Sequence, residues 1–267
     1  MNSLFCKRAR GGENTNNKLL VVSFILVALF STSFIGSVLA APQIEILNSH
    51  TSFLDPIGYF NVVGEVQNVG DQAANNVFVT ATYYNAANEV VGTWVNEIGL
   101  SVLLPDRKSP FRVEFVDVGQ SALVDHYSLE IEFTPTDSIP KQLQIASHNS
   151  SVDVGFGLFE ILGEVENTGD ATATYVMVFV TCYDEAGNVI QVGGDYLEPV
   201  NVGVSQKGSF TLWIDHENPD LINSYTLTAE SENYALIPEF NSFVLTILAV
   251  TLVSISSLLY KRKIIKK

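Results

Sequence analysis

Cysteine is almost missing. The 267-residue chain has two, Cys6 and Cys182, so the disulfide framework that staples many small secreted domains is excluded. Cys6 lies in a segment expected to be removed. Cys182 lies in a stretch of strand character, where a buried thiol is expected rather than a reactive one. Basic residues are scarce between the two ends. From Ala41 to Pro238 there are 27 Asp and Glu but five Lys and Arg (Arg107, Lys108, Arg112, Lys141 and Lys207), a net of −22. Such a body repels nucleic acid and anionic headgroups, which excludes a DNA or RNA partner. No stretch of it keeps a helical hydrophobic period over three turns. Nucleophile elbow, phosphate loop and metal-ligand Cys/His spacing are absent as well. The sequence predicts no catalytic residue, no cofactor and no metal site.

What is present starts at the ends. Residues 1–18 carry Lys7, Arg8, Arg10 and Lys18 against Glu13, followed by an uncharged apolar run from Leu19 to Ala40 ending "SVLA". A basic segment, an apolar core and small residues at −3 and −1 (Val38, Ala40) predict a signal peptide over 1–40, cut before Ala41; an uncleaved spanning helix is the alternative. Residues 240–260 (Phe240 to Tyr260) are again uncharged and are followed by "KRKIIKK", 261–267. About 20 apolar residues span a bilayer, and the basic cluster stays on the cytoplasmic side. A single-pass membrane anchor with the body outside the cell is therefore expected. The juxtamembrane linker, 233–239, runs into "IPEF", and Pro238, Glu239 and Phe240 before the apolar run resemble PEF-type sorting signals of archaeal surface proteins. That resemblance implies processing by an archaeosortase-like enzyme.

Between the ends the chain is written twice. "GEVQNVGD" at 64–71 returns as "GEVENTGD" at 163–170. Tyr59–Asn96 aligns on Leu158–Asp195 without a gap, with 14 identities in 38 positions. "KSPF" (108–111) lies over "KGSF" (207–210), and "HYSLEIEF" matches "SYTLTAES" with one residue lost. A period near 100 is the size of a small β-domain rather than a solenoid unit. The expected organisation is repeat 1 over 41–135 and repeat 2 over 136–232. The two are expected to fold independently, divided at Thr134–Gln142.

Each copy has strand chemistry. Phe60, Val62, Gly64 and Val66 alternate with Asn61, Val63, Glu65 and Gln67, which predicts one face toward a core and the other toward water. "VFVTATYY" (77–84) and "VMVFVTCY" (176–183) are rich in β-branched and aromatic residues. The turns are legible too. Asn68-Val-Gly-Asp71 and Asn167-Thr-Gly-Asp170 redirect the chain: the Asn side chain bonds the backbone two residues on, and the Asp accepts N–H groups. Gly70 and Gly169 are expected to supply a positive φ. Gly64 and Gly163, inside strands, mark a bulge or close backbone approach. In "YDEAGNVI" Gly187 takes a left-handed hairpin position, which Asn88 fills in the first copy. These are structural roles.

Strand, "NxGD", strand, "YDxxGxVI", loop and a late Phe before a strand resemble the FxLYD and CARDB groups of immunoglobulin-like domains. The namesake pentapeptide stands as "VTCYD" (180–184) and "ATYYN" (81–85). The resemblance covers most of both copies and implies all-β architecture: two tandem antiparallel β-sandwiches between the N-terminal signal helix and the C-terminal transmembrane helix. It brings no catalytic residue.

The remaining candidates are weak. His50 and His148 precede the two copies among Ser, Asn and Thr, and solvated loops are expected there. Asp215, Glu217 and Asp220 lack the glycine and spacing of a calcium loop. Asn149, in "NSS", is the body's one glycosylation sequon and is expected to be exposed. Trp94 and Trp213 do not align; each is expected in a strand where the indole packs or lines a rim, with core packing the default. The function expected is a non-enzymatic surface module that binds an envelope protein or a glycan, or spaces the envelope. The alternative is an accessory or solute-capturing subunit of a membrane complex.

Overall fold

A computed structural model describes residues 41–153 and 157–238. The expected signal segment (1–40), Glu239, Phe240, the expected transmembrane helix and its basic tail lie outside the described residues, in which no helix is long and apolar enough to cross a membrane.

The described chain is all β. Its helical content is α1 (Val118–Ser121) and a 3-10 turn (Pro219–Leu221). In the first half, β3 (Phe60–Asn68) is flanked on one side by β1 (Ile44–Ile46) and β2 (Thr51–Leu54) and on the other by β7 (Lys108–Phe115). A second antiparallel sheet is built on β4 (Ala73–Tyr84), which pairs with β5 (Val90–Glu97), β6 (Val102–Leu103) and β8 (His126–Thr136). Val62, Val66, Val79, Ala81, Tyr83, Phe111 and Val113 form the core between the two sheets.

The second half repeats the plan. β9 (Lys141–Asp153), β10 (Leu158–Asn167) and β13 (Lys207–Asp215) make one layer, and β11 (Met177–Tyr183), β12 (Val189–Tyr196) and β14 (Ser224–Glu230) the other. β15 (Ala235–Leu236) runs antiparallel to β14 and parallel to β9, joining both layers into one seven-stranded path. Ile161, Val165, Val178, Val180, Cys182 and Phe210 fill the space between them.

The halves meet through more than their linker. Asn61, Val63 and Glu65, expected to face water, are at 0%, 0% and 3% exposure. β3 is buried on both faces because the second half covers the outer one: Val189 N–H donates to the Ser49 carbonyl (2.7 Å), and Phe179 packs against the first core. β10, whose outer face no other described strand covers, keeps the alternation, with Glu160 and Glu164 less buried than Ile161 and Val165. The expected core packing of the tryptophans is also corrected. Trp94 on β5 and Trp213 on β13 are 41% and 53% exposed, because Trp213 falls between the inward-facing Leu212 and Ile214.

Candidate ligand cleft between the two halves

The repeated turn is organised by its asparagine. Asn68, fully buried, accepts from Gly70 N (3.0 Å) and donates to the carbonyls of Gln72 (2.8 Å) and Leu103 (2.9 Å). Asn167 makes the same three bonds, from Gly169 N (2.9 Å) and to Ala171 (2.8 Å) and Val202 (2.9 Å). The local bond follows the sequence expectation. The bond to a carbonyl 35 residues on fixes the turn to the opposite layer, and no local pattern announces it.

The glycines of this turn have another cause than expected. Gly70 and Gly169 do not have positive φ; the positive-φ glycines among the described residues are Gly58, Gly157 and Gly187. A Cβ on Gly70 would lie 2.4 Å from the Ala41 carbonyl oxygen, and one on Gly169 2.6 Å from the Tyr234 ring. Both are places of close approach, which a side chain would block. Asp71 accepts from the Ala41 backbone N–H (2.7 Å), whereas Asp170 accepts from the Tyr234 hydroxyl (3.0 Å) in place of a backbone group. Gly187 (φ +84°) and Asn88 (φ +62°) take the left-handed hairpin positions as expected. Asn149 is exposed on β9, opposite Leu162. Pro238 is described and contributes to the cleft below. Among the described residues no cluster of acidic, His or Cys side chains could hold a metal ion.

The histidines correct a second expectation. His148 lies on β9, and its Nδ1 meets the Tyr225 hydroxyl at 2.8 Å; His50 Nδ1 meets Tyr127 at the same 2.8 Å. Each pair is edge-on with ring centroids 5.6 Å apart. The tyrosines lie on the last long strand of each half, beyond the reach of any local spacing rule.

Between the halves lies a cleft of about 480 Å³. β3 and the start of β7 supply Glu65, Arg107 and Lys108 on one side. The outer face of β11 and β14 supplies Thr181, Tyr183, Thr226 and Thr228 on the other. Tyr225, which packs against the core of the second half, and His148 of β9 also line it. Lys141, Leu236 and Pro238 close one end.

Arg107 is the joint. Its guanidinium pairs with Glu230 (3.2 Å) and donates to Thr228 Oγ1 (3.0 Å) and the Ala229 carbonyl (2.6 Å). Glu230 in turn accepts from the backbone N–H groups of Ser101 (2.7 Å) and Val102 (3.2 Å). Burial pulls the Arg107 pKa down and pushes that of Glu230 up, and their mutual attraction offsets only part of this. The pair therefore sets how the halves fit more than it stabilises them. Lys108 pairs with the buried Glu65 (3.2 Å), as Lys207 pairs with Glu164 (3.1 Å) one copy later. Tyr183 is hydrogen-bonded to Thr226 (3.1 Å). Burial, with Glu65 nearby, raises its pKa, so it serves as a neutral hydroxyl. The arrangement can hold a polar guest by hydrogen bonds and charge.

No protein family and no curated protein matches the chain. Solved structures with some likeness include red sea bream transglutaminase (9% identity, 80% of this chain and 33% of that one, TM-score 0.23). Others are a calcium-binding mutant of Bacteroides uniformis β-glucuronidase 2 (12%, 72% and 27%, TM-score 0.25) and Amycolatopsis orientalis exo-chitosanase CsxA (15%, 70% and 26%, TM-score 0.23). The chain spans about a third or less of the length of each.

Proposed function

We propose that this chain is a membrane-anchored, non-enzymatic cell-surface protein. Its two immunoglobulin-like β-sandwiches act together as an adhesion, protein- or glycan-binding, or envelope-spacing module. The observation that carries this reading is the burial of β3 on both faces, which makes the two copies one stiff unit. A doubled, stiff, strongly acidic body suits the presentation of a binding face at a fixed distance from its support. The apolar run at 240–260 with its basic tail supplies the anchor, and the body lies outside the cell. Pro238, Glu239 and Phe240 resemble a sorting signal for an archaeosortase-like enzyme, and cleavage there would exchange this anchor for another and take the C-terminal tag with it. Protease added to intact cells should remove the body while a C-terminal tag survives; a tag digested from outside overturns the orientation.

The cleft favours a second reading, a solute-capturing subunit of a membrane transport or enzyme complex. Affinity capture of the tagged protein from detergent-solubilised membranes separates the two. Stoichiometric recovery of a transporter or enzyme subunit supports the second reading, and recovery of envelope glycoprotein or polysaccharide supports the first.

A further inference from the structure

The cleft is the one region of the described body where cations gather. Arg107, Lys108 and Lys141 are three of the five basic residues, whereas Glu65, Asp106 and the Glu230 paired with Arg107 are only three of the 27 acids. The cleft's charges thus balance, while the rest of the body from 41 to 238 carries two basic residues against 24 acids, so an anion is repelled least here.

The duplication provides an internal control. Lys108 and Glu65 recur as Lys207 and Glu164, so that pair belongs to the shared fold. Arg107 and Lys141 do not recur: the equivalent positions in the other copy hold Gln206 and Pro42. The first half keeps the tyrosine–hydroxyl bond, Tyr84 to Ser128 at 3.3 Å. It carries Glu130 where the second half has Thr228. Relative to the other copy, the second half's side of the cleft has lost an acid (Glu130 to Thr228) and gained Lys141. The first half's side has gained Arg107 together with Asp106, where the other copy has Ser205.

Arg107 is occupied by Glu230, and Lys108 by Glu65. Lys141 has no ion-pair partner among the described residues and is exposed at the end of the cleft. The same cleft is lined by Thr181, Thr226, Thr228, Tyr183 and Tyr225, with Tyr183 bonded to Thr226 and Thr228 accepting from Arg107. Threonine and tyrosine hydroxyls together with tyrosine rings match the alternating polar and C–H faces of a pyranose. The free ammonium matches an acid on that sugar. The volume is that of an ordinary small-ligand site.

We propose that the cleft binds an acidic saccharide, a uronate residue or short uronate chain, with its carboxylate on Lys141. The proposal deepens the glycan-binding reading above, and a failure here leaves the protease-accessibility result untouched. The test is calorimetric titration of the full-length protein in detergent with trigalacturonate, with its neutral galactose counterpart, and with inorganic phosphate. Trigalacturonate should bind saturably, with the neutral trisaccharide and phosphate at least tenfold weaker. Lys141→Gln should weaken uronate binding about tenfold, the scale of one lost charged contact. Lys207→Gln makes the same change of charge at the equivalent ion pair outside the cleft, and should change binding less than twofold. No uronate binding, equal binding of phosphate, or equal losses in the two lysine variants overturns the proposal.

Discussion

His50 and Tyr127 hold each other at 2.8 Å across the first half. Burial pulls the His50 pKa below its ordinary 6.5. A base with a depressed folded pKa binds protons preferentially in the unfolded chain. Its contribution to stability is therefore complete above pH 6.5 and lost as the pH falls below it. The melting temperature should drop between pH 7.5 and 5.5, and His50→Gln should drop less over the same interval. Parallel curves for the two proteins would remove His50 from the pH response.

Asn68 and Asn167 should be among the least replaceable polar residues. Asn68→Ala strands the buried Leu103 carbonyl and the Gly70 N–H, and a stranded buried group costs about 1–3 kcal/mol. A loss of about 2 kcal/mol or more is expected in denaturant titration. Asn68→Asp should be no better, because the carboxylate cannot donate to the two carbonyls.

The glycines separate into two kinds by a single substitution. Gly187→Asn should cost under about 1 kcal/mol: nothing lies within 4 Å of an added Cβ, and Asn88 already adopts that conformation. Gly70→Asn should cost more, about 1–3 kcal/mol, since any Cβ there displaces the Ala41–Gln43 segment. Equal melting temperatures for the two variants would contradict the assignment.

Breaking the joint should be worse than replacing it. Arg107→Ala leaves Glu230 buried without its partner, which costs about 3–5 kcal/mol in comparable pairs. The double variant Arg107→Met, Glu230→Leu should recover part of that loss. Each half expressed alone should melt below the intact body, because separation exposes Phe179 and the outer face of β3.

Cys182 offers a probe of these changes. Burial pushes its thiol up to about 12. Alkylation at pH 8 should proceed only as fast as the second half opens, so its rate should rise in destabilised variants.

The duplication, the strands and the hairpin positions of Asn88 and Gly187 were legible because each depends on neighbours in sequence. The reason for Gly70 and Gly169 was not, since it lies in the Ala41 carbonyl and the Tyr234 ring. Asn68 is a half-legible case: its bond to Gly70 is local, and its bond to Leu103 comes from a strand that only the fold brings near. The outer face of β3 has water-facing chemistry at Asn61 and Glu65, and its burial depends on strands more than a hundred residues away. Trp213 is different, since its phase between Leu212 and Ile214 was present in the sequence. Residue type outweighed position there. The cleft itself was invisible, because Arg107, Lys141 and Tyr183 share no spacing that a linear pattern would reveal.

The parallel pairing of β15 with β9 has a mechanical side. Lys141, at the start of β9, follows the linker from the first half, and Leu236 ends β15 shortly before residue 238. A pull between the first half and residue 238 therefore grips two parallel neighbours by opposite ends. The bonds from Ala235 N to the Pro140 carbonyl and from Ile237 N to the Leu143 carbonyl are then loaded together, in shear, and do not peel one after another. Under tension the second half is clamped at the seam where its two layers join.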